Sequence, residues 1–161
     1  MFVIGIDPGA TGAVAILNQD GGLVDVFDMP SVDMLIGGKN KRRVVPELLA
    51  AELRFYDKPG TVGVVEQVSA RPGQGVASMF AFGQAYGQVL GVLAGMSIPT
   101  TTVTSAVWKR DLKMTSFKDA ARLKAAQTWP LAAKQFARNK DDGRAEASLI
   151  ALWFQKRNPK T

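Results

Sequence analysis

Four acidic residues are spaced so that they could act together: Asp7, Glu66, Asp142 and Glu146. Asp7 closes an apolar run, Phe2 to Ile6, and Pro8-Gly9 follow at once. Glu66 closes a second apolar run, TVGVVE. Asp142 and Glu146 are four residues apart, which puts them on one face of a helix. Ala147, Leu149 and Ile150 make that face border the buried side. Carboxylates on an apolar border are costly unless paired or ligated. If the last helix packs near the ends of two strands, three or four carboxylates converge and repel one another. A hard divalent cation such as Mg²⁺, which takes oxygen ligands, supplies the missing counter-charge. Taken singly, each acid has an ordinary structural role: Asp-Pro-Gly is a common turn, and an Asp at a helix start is a common cap. The combination is what points to a metal.

The rest of the composition narrows the chemistry. The 161 residues include no cysteine and no histidine. Disulfides, thiolate metal sites and imidazole acid–base catalysis are therefore excluded. Catalysis must use carboxylates, lysines, hydroxyls or a metal held by oxygen. The segment 109–161 holds 13 of the 20 basic residues and five acids, a net +8 that leaves −2 for the remainder. A cationic C-terminal third suits a polyanionic partner, most simply nucleic acid.

The positioning elements follow from hydrophobic periodicity and turn residues. FVIGID, GAVAIL and LVDVFDMP read as three strands joined by the short turns DPGATG and NQDGG, an antiparallel meander. SVDMLIGGKNKRR reads as a polar, basic loop, and VVPELLAAELRFYD as a helix. TVGVVEQV is a fourth strand, which lies parallel to the first because a helix precedes it. VASMFAFGQAYGQVLGVLAGM is a long helix and TTTVTS a fifth strand. Ser105 caps AVWKRDL, Ser116 caps FKDAARLKAAQTW, Pro130 ends the latter, and RAEASLIALWFQKR is the last helix. The expected architecture is one α/β domain over 1–161, with a mixed five-stranded sheet flanked by helices. No signal peptide is legible, and GQVLGVLAGMSI is too short to span a bilayer.

IGIDPGATG, VVEQV, WKRDLKMTSFKDAA and KDDGRAEASLIALW, in that order, resemble the RuvC-type Holliday-junction resolvases of phages and some bacteria, from Phe2 to Trp153. The resemblance implies a ribonuclease-H-like fold, a homodimer and Mg²⁺-dependent (or Mn²⁺-dependent) resolution of four-way DNA junctions by paired symmetric nicks. It implies two ions per site, clamping an in-line displacement at phosphorus and leaving 5′-phosphate and 3′-hydroxyl ends. Asp7 takes the place of the family's bridging carboxylate, Glu66 that of the strand acid and Glu146 that of the helix acid. The fourth ligand usually stands three residues before the helix acid. Gly143 is there in this chain, so Asp142 is expected to serve, or Asp141 if the helix starts later. Lys109 and Lys118 resemble the family's lysines, and both are expected to contact DNA. Lys118, early in its helix, is expected at the scissile phosphate, and Lys113 at a neighbouring one. Many relatives carry a base-stacking aromatic in the loop after the strand acid; Ser69 stands there in this chain, leaving Arg71 to stack or bind phosphate.

Gly83, Gly87, Gly91 and Gly95 form a stripe along the long helix. Glycine costs a helix up to about 1 kcal/mol per residue, so the stripe implies a closely approached backbone. One reading is packing on the chain's own sheet. The other, which the resemblance favours, is a dimer built on Met79, Phe82, Gly83, Tyr86, Gly87 and Leu90. Gln84 and Gln88 argue against a membrane helix. The expected protein acts in the cytoplasm, on branched DNA, with no membrane and no nucleotide cofactor. The alternatives are a nuclease for flaps or forks, a non-catalytic junction binder, and an actin-like ATPase, for which the chain is too short.

Overall fold

A computed structural model of the chain describes residues 1–69, 73 and 75–159. Strands β1 (Phe2–Asp7), β2 (Ala13–Asn18) and β3 (Leu23–Asp28) form the antiparallel meander. β4 (Ser31–Ile36) and β5 (Lys39–Val44) form a separate hairpin. Helix α1 (Pro46–Leu53), strand β6 (Val62–Glu66), helix α2 (Val76–Gly95) and strand β7 (Thr100–Val103) follow. Helices α3 (Ser105–Asp111), α4 (Ala120–Thr128) and α5 (Asp142–Arg157) complete the fold, with two 3-10 segments between α4 and α5. The main sheet has the order β3-β2-β1-β6-β7, and β6 runs parallel to both β1 and β7.

Alternation along β1 feeds two cores. Val3 packs with Trp108, Leu149 and Ile150 on the face covered by α3, α4 and α5. Ile4 and Ile6 pack with Leu49, Val89 and Leu93 on the face covered by α1 and α2. Gly5 sets how closely α5 docks. A Cβ there would stand 2.1 Å from the Ala147 carbonyl oxygen and 2.8 Å from the Ala151 nitrogen. The α5 backbone thus rests on β1 itself, and this contact delivers the start of α5 to the end of β1. Gly5→Ala should lower stability by about 1–3 kcal/mol. An unaltered urea midpoint would contradict the close approach.

Several elements differ from expectation. Residues 31–43 form most of a hairpin rather than a loop. Val32, Met34 and Ile36 alternate along β4, and Gly37-Gly38, with φ of 58° and 73°, supply the left-handed two-residue turn that joins paired strands. Basic composition hid the pattern because only Val44, at the base of the ribbon, is buried in the core. α4 starts at Ala120, after Asp119, so Lys118 precedes the helix instead of lying early within it. Thr104, not Ser105, holds the cap position of α3, and neither the α3 nor the α4 cap makes a side-chain hydrogen bond. α2 is long and apolar enough to cross a membrane by length and composition, contrary to the sequence-based expectation. Its Ala85, Val89 and Leu93 are nevertheless buried against the sheet.

Candidate active site

Ile6 is in register with Val65 across parallel strands, so Asp7 and Glu66 emerge side by side at the C-terminal edge of the sheet. Glu146 reaches the same edge from the first turns of α5. All three line one cleft of about 460 Å³, with Phe82, Thr104 and Ser105 around them. Burial, then Glu146, then Glu66 push the Asp7 carboxyl up to about 7, against the pull of the Gly9 backbone N–H and of Lys109. The Asp7 carboxylate is thus short of positive charge.

Two consecutive residues of α3 hold the other two acids. The Trp108 indole Nε1–H donates to Glu66 Oε2 at 2.8 Å. Lys109 Nζ lies 2.7 Å from Glu146 Oε1 and 5.0 Å from the centroid of the Trp108 ring. Trp108 is fully buried, so it fixes this arrangement from below. Sequence reasoning did not single out Trp108, and it assigned Lys109 to DNA rather than to Glu146. The Trp-Lys pair just after a strand end was the available signal.

Asp142 does not join the cluster. Its Oδ1 accepts from Arg122 Nε at 2.8 Å, and Arg122, nearly buried, also pairs with Asp119 and donates to Asn139 Oδ1 at 3.1 Å. Asp141 is no substitute: it is fully buried and bound by the Arg138 guanidinium at 2.8 Å. The reason is rotation. One residue turns a helix by about 100°, so Asp142 faces α4 while Gly143 faces Asp7. A Cβ at Gly143 would lie 3.1 Å from Asp7 Oδ2. The position three before Glu146 is therefore the one that abuts Asp7, and it carries no side chain.

The remaining expected residues fall around this centre. Exposed Lys118 shares a second cleft, of about 270 Å³, with Lys109 and Glu146. Lys113 is exposed in the turn after α3, with φ of 54°. Arg71 lies outside the described residues. Ser69 is exposed and lines the acidic cleft. Gly83, Gly87, Gly91 and Gly95 are exposed, and a Cβ at any of them would meet nothing within 4 Å. The stripe does not pack on its own sheet. Met79 is half-buried, while Tyr86 and Leu90 pack partly on their own core. Phe82 borders the acidic cleft, its ring 3.5 Å from where a Gly9 Cβ would stand.

The backbone arrangement has solved counterparts. Thermus thermophilus RuvC in complex with a Holliday junction substrate superposes with a TM-score of 0.63 at 19% identity, covering 99% of this chain and 97% of that one. The chain has the fold of RuvC. A second Thermus thermophilus RuvC structure gives a TM-score of 0.59 at 16% identity, over 98% of this chain and 97% of that one. No family model and no curated protein sequence matches the chain.

Among the described residues no three acidic side chains close on a single point. Three carboxylates nevertheless surround the RuvC-fold cleft, Asp7 is forced towards its protonated form, and one ammonium stands against them. An all-oxygen donor set with excess negative charge fits a hard divalent cation.

Proposed function

We propose that the chain is a divalent-cation-dependent endonuclease that resolves four-way DNA junctions by paired symmetric nicks. The observation that carries this reading is the convergence of Asp7, Glu66 and Glu146 in one cleft at the sheet edge. The RuvC fold, solved elsewhere on a Holliday junction, supports the choice of substrate.

Asp7, Glu66 and Glu146 would hold Mg²⁺ or Mn²⁺, two ions per site. Such ions, once bound, would supply an activated water and charge stabilisation at phosphorus, the chemistry that would leave 5′-phosphate and 3′-hydroxyl ends. The chain's own contribution is placement. Asp7 projects from a strand end that α5 clamps through Gly5, so its carboxylate is held rigidly. Trp108 orients Glu66 by its indole N–H. Lys109 balances Glu146 in the resting protein and, with that carboxylate holding a cation, would be available to a DNA phosphate. Lys118, exposed in the neighbouring cleft that Lys109 and Glu146 also line, would contact the scissile phosphate, with Lys113 further out.

A second copy would cover the glycine stripe of α2. Ala85, Val89 and Leu93 face the core, and each glycine lies two residues, about 200°, from one of them. The stripe therefore faces outward, open to a partner backbone. A twofold dimer presents two cutting centres to a junction that itself has twofold symmetry. The protein would act in the cytoplasm, without a nucleotide cofactor. Ser69, standing where many members of the family carry a stacking aromatic, would allow wider tolerance among branched DNAs, including flaps and forks.

The test is incubation with end-labelled four-way junctions, flaps, forks and linear duplex, with Mg²⁺ or with EDTA. Mg²⁺-dependent paired nicks in the junction, sealable by ligase, are expected. A junction left uncut in Mg²⁺, or cut equally in EDTA, would overturn the reading.

A further inference from the structure

The β4–β5 hairpin segregates its charge. Val32 is in register with Arg43, Met34 with Lys41 and Ile36 with Lys39. Side chains alternate along a strand, so Lys39, Lys41 and Arg43 share one face. Asp33, the only acid in the ribbon, lies on the opposite face in register with Arg42. Arg42 also donates through Nε to Ser31 Oγ at 2.7 Å. Among the described residues, Lys39, Lys41 and Arg43 have no acidic partner within ion-pair distance.

Charged side chains often serve only to keep an exposed edge strand from pairing with another chain. One lysine does that. Three like charges on one face of a small ribbon repel one another, and an isolated two-stranded ribbon is marginal in water to begin with. Met34 and Leu35, 49% and 74% exposed, add no core. The arrangement makes sense against a polyanion. Alternate residues on a strand are about 6.8 Å apart. Two base steps of a DNA strand rise by about the same amount, and the major groove admits a two-stranded ribbon. The base of the hairpin is also near the acids: Arg42 and Lys140 share a cleft of about 180 Å³ with Thr11 and Gly12, in the turn that follows Asp7.

We propose that the Lys39-Lys41-Arg43 face of the hairpin grips the phosphate backbone of a duplex arm beside the cutting centre. This rests on the reading that the chain acts on branched DNA.

The experiment is fluorescence anisotropy of a labelled four-way junction, titrated with protein in EDTA across a KCl series. Each phosphate contact contributes about 0.9 to the slope of log affinity against log salt. The Lys39→Gln/Lys41→Gln/Arg43→Gln variant should therefore lose about 2–3 from the magnitude of that slope. The charge-retaining Lys39→Arg/Lys41→Arg variant should keep it. A wild-type slope in the glutamine variant, or an equal loss in the arginine variant, would overturn the proposal. So would a glutamine variant that keeps its slope but loses self-association in sedimentation, which would assign the face to a second copy. Nicking of the junction by the wild type in Mg²⁺ tests the underlying reading separately. A wild type that fails to nick, while the glutamine variant loses slope, would leave the grip standing and remove the nuclease.

Discussion

Asp7→Asn will bind a four-way junction and fail to cut it, and without metal at pH 8 it will be more stable than the wild type. The loss of cutting should be about 10²–10³-fold or more, the scale of removing a preorganised electrostatic group. The gain in stability follows from the sign of the Asp7 shift. Its carboxyl titrates at about 7 in the folded protein and at 3.8 in the unfolded chain. Between those values the folded state holds more protons, so metal-free stability falls as pH rises from about 4 to 7. Three units correspond to at most about 4 kcal/mol. Asparagine keeps the shape and removes the charge, so the variant should lose this pH dependence. Mg²⁺ should raise the melting temperature of the wild type and leave that of the variant unmoved. Thermal melts at pH 5 and pH 8, with and without Mg²⁺, check all of this. A variant less stable than the wild type at pH 8 would mean that Asp7 is a structural turn residue whose hydrogen bonds matter more than its charge.

Gly87→Leu is expected to convert the proposed dimer into a monomer without harming the monomer's fold. Gly87 lies two residues from both Ala85 and Val89, on the side of α2 away from the core, and a Cβ there meets nothing within 4 Å. Leucine is a better helix former than glycine by about 0.8 kcal/mol, and no intrachain neighbour stands in its way. The isolated chain should therefore be as stable or slightly more so. Across a close helix–helix contact the same side chain holds the two backbones apart. Sedimentation should show a shift to monomer, and junction cutting should change from paired nicks to single ones. An unaltered dimer would move the interface away from the glycine stripe.

How much was readable in the chain depends on how local each signal is. Asp7 and Glu66 were legible because an acid at the end of an apolar strand has one direction to point. Glu146 was legible because its apolar neighbours mark the buried side of α5. Asp142 was misplaced by one residue step: spacing alone allows either of two adjacent positions to share a face, and only the docking of α5 on Gly5 decides that Gly143 meets Asp7 and Asp142 meets Arg122. Arg122, Trp108 and Lys109 act across 20, 42 and 37 residues of sequence to reach Asp142, Glu66 and Glu146, and no local pattern encodes such pairs. The hairpin escaped notice because, Val44 at its base apart, its alternation serves no core. The glycine stripe was visible by period, but which way it faced depended on Ala85, Val89 and Leu93 meeting the sheet.

The central claim is that a cation belongs between the end of β1 and the start of α5. Crystals grown with Mn²⁺, measured for anomalous scattering, test it most directly. The account predicts manganese bound among Asp7, Glu66 and Glu146, with Lys109 turned off Glu146. Well-ordered acids with no manganese between them, and Lys109 still paired to Glu146, would contradict it.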